Sequence, residues 1–162
     1  MASNALKQLF EDSIWEDIDY LVVDTPPGTG DIHITIGQTY NIASTVFVTT
    51  PQKIATLDTI KCIELFMKLN IGVTGIVENM AYFTPKELPD NKYYIFGRGG
   101  AVSISNMFDI PILGEIPIVE SISDRCDKGK IIDIMSEDLI NKSFILISEK
   151  IAQYISINNN KN

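Results

Sequence analysis

The sequence holds only two cysteines, Cys62 and Cys126, one histidine, His33, and one tryptophan, Trp15, in 162 residues. So few thiols exclude a disulfide framework and a four-thiolate metal site within one chain. One imidazole and two separated thiols also leave a mononuclear zinc site short of ligands. Basic charge is scarce: 13 Lys and Arg stand against 21 Asp and Glu, for a formal net charge of −8. A nucleic-acid binder needs the opposite sign to displace counterions from phosphate, and so does a polybasic membrane anchor. No apolar run reaches the roughly 18 residues of a transmembrane helix. The opening MASNALKQLFEDSIWED lacks the basic and apolar blocks of a signal peptide. The 45% of hydrophobic residues is too many for a disordered chain. The composition reads as a cytoplasmic α/β domain with reduced thiols, over residues 1–157, followed by a frayed Asn/Lys tail at 158–162.

Short β-branched runs predict strands at residues 20–24 (YLVVD), 45–49 (TVFVT), 73–78 (VTGIVE) and 112–115 (ILGE). They are apolar on both faces, as buried parallel strands are. Helical periodicity predicts helices at 5–15, 32–40, 54–69, 100–108 and 136–157. The last carries Ile140, Phe144, Ile147, Ile151 and Ile155 along one stripe. It opens at Ser136 with an imperfect capping box, in which Leu139 stands where Glu or Gln belongs. Alternating strands and helices mean βαβ units and a mostly parallel sheet. The stretch 79–96 is a long loop, the kind that usually carries function. No G-x-x-x-x-G-K-[ST] occurs, so the usual lysine-bearing phosphate loop of a nucleotide-binding sheet is absent.

The sharpest chemical signal is YLVVDTPPGTGD at 20–31. An apolar strand ends in Asp24, where ligands of open α/β sheets bind. A carboxylate there suits Mg²⁺ held through water. Pro26 and Pro27 restrict the loop, and Gly28 offers a free N–H that can sense a γ-phosphate. From the residues alone, the same stretch reads equally as a Pro/Gly turn carrying a solvated Asp.

DTPPGTGD, with TTPQ at 49–52, GIVENM at 75–80, YIFGRGG at 94–100 and LGEIP at 113–117, resembles the Mrp/ApbC family. These are P-loop ATPases of the ParA/MinD group that carry iron–sulfur clusters. The ordered motifs cover about residues 1–135 and resemble the C-terminal half of a longer protein, so Met1 is not expected to be the ancestral start. The resemblance implies a sheet with helices on both faces, ATP with Mg²⁺, and a homodimer that delivers a [4Fe–4S] cluster to apoproteins. Asp24 resembles the switch aspartate that holds Mg²⁺ through water, and Pro26, Pro27 and Gly28 resemble the switch loop near the γ-phosphate. Asn79 resembles the residue reading the adenine edge, for which an amide offers both donor and acceptor. Pro117 resembles the backbone segment lining the base.

Three departures follow. The family's glycine- and lysine-rich phosphate loop is missing, so a separate N-terminal half is an expected partner and ATP binding by this chain alone is expected to be weak. The family's C-x-x-C is replaced around Pro85–Leu88, leaving any cluster to draw ligands from elsewhere; Cys62 and Cys126 read as structural. Arg125 is the nearest guanidinium to the family's arginine position near Ser123, and Ile131 stands near the family's proline. His33 reads as a surface or packing residue. Gly97, Gly99 and Gly100 with Arg98 read as a tight turn ahead of a helix, the alternative being an anion site. The terminal helix has a mixed polar face (Glu137, Asp138, Lys142, Glu149, Lys150), which favours docking on the sheet over lipid. The competing functional readings are a MinD/ParA-like regulatory switch and a non-enzymatic dimerisation module.

Overall fold

The computed structural model describes residues 2–85, 87–134 and 138–159. In chain order it contains α1 (Ala2–Glu11), α2 (Asp31–Thr39), β1 (Thr45–Thr49), α3 (Lys53–Lys68) and β2 (Val73–Glu78). These are followed by α4 (Gly100–Phe108), β3 (Ile112–Glu115), α5 (Glu120–Asp127), α6 (Ile131–Ile134) and α7 (Asp138–Asn159). The expected start of the last helix at Ser136 lies outside the described residues.

Three strands form one parallel sheet in the order β1-β2-β3. The period-two alternation sorts their side chains to two faces. Phe47 and Ile76 pack with Ile63 and Phe66 of α3 and Ala101 and Ile104 of α4. On the other face Val77 and Leu113 pack with Ile147 of α7. Helices therefore cover both faces, as expected. Ile63, Ile76 and Ile104 are wholly buried, each stabilising the fold by about 1.5–3 kcal/mol through apolar burial.

Gly75 makes the sheet possible at its tightest point. It takes φ +155, and a Cβ there would stand 2.5 Å from the Pro111 carbonyl oxygen. Register irregularities lie on both sides of it, between Thr45 and Val46 and between Ile76 and Val77. The missing side chain lets β2 bend while keeping both neighbours.

The strand expected at 20–24 does not form. Residues 20–24 are irregular, and Tyr20, Leu21, Val22 and Val23 are exposed, Val22 by 88%. The pattern registers apolarity, but a strand needs a neighbour to satisfy its N–H and C=O groups. Among the described residues this segment has no strand beside it. The first helix also stops at Glu11 rather than at residue 15; Trp15 lies beyond it and its indole N–H donates to the Phe10 carbonyl at 3.0 Å. The short helices α5 and α6 were not anticipated.

Candidate functional site

Two groups of the expected site residues come to different places. The first is at the carboxyl ends of β2 and β3. The Asn79 N–H donates to the Thr49 carbonyl at 2.7 Å, tying the turn after β2 to the end of β1. Asn79 Oδ1 accepts the Met80 N–H at 2.9 Å, which holds Met80 at φ 55 and uses one lone pair of that oxygen locally. Beyond the strands, the Ala81 N–H donates to the Ile116 carbonyl and the Ile118 N–H to the Tyr82 carbonyl. These bonds extend the parallel pairing past the sheet and lay buried Pro117 alongside the turn that carries Asn79. The segments that contain the two residues expected to face a base are thus joined by backbone hydrogen bonds.

The second group is Asp24 with the loop 25–30. Asp24 is exposed and borders a groove of about 310 Å³ lined by Leu6, Leu9, Phe10, Trp15, Leu21 and Val22. That lining is apolar, which suits neither a triphosphate nor a hydrated cation. Pro26, Pro27 and Gly28 are exposed, and Gly28 takes φ +94. The Cys62 thiol tethers this loop to α3, donating to the Gly28 carbonyl at 3.2 Å. Partial burial pushes the Cys62 thiol pKa up, keeping the proton that makes this contact. Among the described residues no three His, Cys, Asp or Glu side chains converge as metal ligands. Asp24 with this loop lacks the cationic, N–H-rich cradle that Mg²⁺-triphosphate requires. The loop as described does not fit the phosphate end of a nucleotide.

Glu78 was missed from the sequence. It is 4% exposed, and its Oε2 accepts the Ala101 N–H at 2.6 Å, at the N-terminus of α4. A carboxyl group belongs there, because a helix start presents unpaired N–H groups. It also resolves the Gly97–Gly100 cluster: the helix start is served by the protein's own side chain. A Cβ at Gly100 would stand 2.9 Å from Pro51 Cα, so this glycine serves close packing. No local sequence signal marks this role, since Glu78 serves a helix start 23 residues away.

The long loop is built rather than loose. Phe83 and Tyr93 pair antiparallel, Lys92 Nζ lies 3.8 Å over the Tyr82 ring, and Arg98 Cζ lies 3.7 Å over the Tyr94 ring. In the region replacing the family's C-x-x-C, the Leu88 N–H donates to the Pro85 carbonyl in a turn. Cys62 is half-buried and Cys126 is exposed on α5. Arg125 donates to the Asp133 carbonyl and joins α5 to α6. His33 is 2% exposed and meets Phe66 edge-on at 5.8 Å, a packing role. α7 packs on β3 with Ile140 and Ile147 buried, as its stripe predicts. No described helix is long and apolar enough to cross a membrane.

The family model of ParA-type NUBPL iron-transfer P-loop NTPases matches residues 1–152. The "Iron-sulfur cluster carrier protein" of Aquifex aeolicus is 40% identical over 157 residues, covering 96% of this chain and 43% of the relative. Its namesake in Synechocystis is 37% identical, covering 97% of this chain and 45% of the relative. The chain thus spans less than half the length of these curated relatives. A nucleotide-binding protein of Archaeoglobus fulgidus, solved in complex with ADP, superposes with a TM-score of 0.70 at 32% identity, covering 80% of this chain and 53% of that one. The cell division ATPase MinD of Pyrococcus furiosus superposes at 0.65 with 19% identity, covering 94% of this chain and 57% of that one, a likeness of fold.

Proposed function

The chain belongs to the ParA-type NUBPL iron-transfer P-loop NTPases, and on that premise we propose that it is the base-binding and switch portion of an ATP-dependent iron–sulfur cluster carrier. The observation that supports this reading is the bonding of Glu78, Ala81 and Tyr82 to Ile116 and Ile118, which continues the parallel pairing past the carboxyl ends of β2 and β3, through the segments that contain Asn79 and Pro117. That is where ligands of such sheets bind. Asn79 would read the base edge and Pro117 would line it. Asp24 would hold Mg²⁺ through water, and Pro26, Pro27 and Gly28 would follow the γ-phosphate, once a phosphate loop is supplied by the portion of the family's fold outside this match. No side chain in the loop is a dedicated general base, which suits catalysis by positioning and charge.

The cluster is cargo. Cys62 is engaged with Gly28 and Cys126 stands apart on another helix in sequence, so a [4Fe–4S] cluster would draw ligands from a partner. Delivery to apoproteins by a cytoplasmic homodimer completes the reading. The MinD-like regulatory alternative rests on likeness of fold alone.

The test is a Mg²⁺-ATP titration of this chain, alone and co-expressed with the portion of the Aquifex aeolicus carrier outside its match. The reading expects no micromolar binding alone and micromolar binding in the complex, with Asn79→Ala weakening the latter about tenfold, the worth of a hydrogen bond left unmade. Micromolar binding by the chain alone would contradict it.

A further inference from the structure

The turn that carries Asn79 is an unfavourable one. Met80 takes φ 55, a left-handed conformation that a residue with a Cβ keeps only when its surroundings impose it. Two backbone bonds restrain the entry to that turn. The Asn79 N–H donates to the Thr49 carbonyl at 2.7 Å, and the Glu78 carbonyl accepts the Ile116 N–H at 2.9 Å. Both run between neighbouring chain segments in the plane of the sheet, so neither resists a tilt of the strand end out of that plane. The third restraint runs across the sheet face. Glu78 Oε2 accepts the Ala101 N–H at the start of α4 at 2.6 Å. That helix start cannot yield, because a Cβ at Gly100 would stand 2.9 Å from Pro51 Cα and 3.0 Å from the Thr50 carbonyl oxygen. Burying a carboxyl group is expensive unless it is bonded. Ile76, two residues earlier, packs against Ala101 and Ile104 of α4 as an aliphatic residue without that cost. The carboxyl group therefore adds what aliphatic packing does not, a directed bond from the strand end to a fixed point above the sheet.

We propose that Glu78 is the positioning residue of the base site: its carboxyl group, held by the start of α4, fixes the turn that presents the Asn79 side chain. This rests on the proposed function and deepens it by naming the residue that gives Asn79 its aim. Glu78 touches no ligand and acts through its neighbour. The Asn79 amide is tied to the backbone of the turn, since its Oδ1 accepts the Met80 N–H. The amide plane therefore swings whenever the turn swings. A hydrogen bond to a base edge weakens steeply with misalignment, so a strand end free to tilt would lose base recognition while the sheet stays folded.

The experiment is amide hydrogen exchange and a millimolar adenosine titration, both read by NMR on the full chain as wild type, Glu78→Met and Glu78→Gln. Adenosine carries the base without phosphates, so its binding needs no phosphate loop. Glu78→Met keeps the side-chain length and removes the acceptor. In it the Asn79 and Met80 amides should exchange about tenfold faster, the effect of one lost hydrogen bond, while Ile63 and Phe47 keep their wild-type protection. The adenosine-induced shifts of Ala81 and Ile118 should saturate at about tenfold higher concentration. Glu78→Gln keeps an oxygen acceptor and should return both readouts to within about threefold of wild type. Unchanged Asn79 and Met80 exchange in Glu78→Met would overturn the inference, even where adenosine binds and the base reading stands. Equal acceleration at Ile63 and Phe47 would also overturn it, since the role would then be one of global stability, and so would a Glu78→Gln as fast as Glu78→Met. Local loosening in Glu78→Met with no adenosine-induced shift in the wild type would instead overturn the base reading and leave Glu78 as the residue that holds the turn.

Discussion

At the β3 side of the sheet, α7 lies over the last strand, Ile147 packs against Leu113, and Lys150 occupies two strand carbonyls. On β1, Val46 and Val48 turn their backbone away from β2, and before α2 the apolar stretch 20–23 lies exposed without a ladder. Both regions contain the same kind of sequence: short β-branched runs with little charge. The difference lies in what stands beside them. A strand becomes structure only when a neighbour satisfies its hydrogen bonds, and a helix lying over it removes its apolar face from water. The proposed site residues divide along the same line. Asn79 and Pro117 belong to the satisfied region and are positioned, whereas Asp24 and Gly28 belong to the open one.

The largest expected effects fall in the satisfied region. Ile76→Ala should lower the unfolding free energy by about 2–5 kcal/mol in urea titrations, through lost burial and a cavity. The same truncation at Val22, 88% exposed, should cost less than about 0.5 kcal/mol. Equal costs at the two sites would erase the distinction. Glu78→Ala strips the acceptor from the Ala101 N–H and should cost about 1–3 kcal/mol, while Glu78→Gln, which keeps an oxygen, should cost less. Lys150→Met keeps the apolar stem and removes the edge donor. It should cost about 1 kcal/mol and raise concentration-dependent light scattering, converting the covered edge toward the open one.

The smallest effect is at the tether between the regions. Iodoacetamide should label exposed Cys126 well before Cys62, because the thiolate is the nucleophile and Cys62 holds its proton more tightly. A folded-state pKa raised above the unfolded one contributes stability below the ordinary thiol value. That contribution is lost as pH rises through the raised value, so stability should decline slightly in alkali and Cys62→Ala should remove the decline.

Much of the satisfied region was legible in the sequence. The runs at 45–49, 73–78 and 112–115 became β1, β2 and β3, and the stripe through Ile140 and Ile147 marked the helix that covers them. Local periodicity sufficed there because each element meets its partner within this chain. It failed at 20–24 because pairing is non-local, and apolarity alone does not say whether the neighbour is present. α5 escaped because none of its residues is buried, which leaves no stripe to detect. Asn79 and Pro117 are named by family resemblance alone, whereas Glu78 could not be assigned its role. Its carboxyl reaches a helix start 23 residues away, a distance no local pattern spans.

Hydrogen exchange across residues 21–24 and 74–77 in the isolated chain tests the central contrast most directly. The two regions should differ by orders of magnitude, with Leu21–Asp24 exchanging like an unfolded chain and Thr74–Val77 only through global opening. Comparable protection at both would contradict the account, since it would mean that residues 21–24 are already paired.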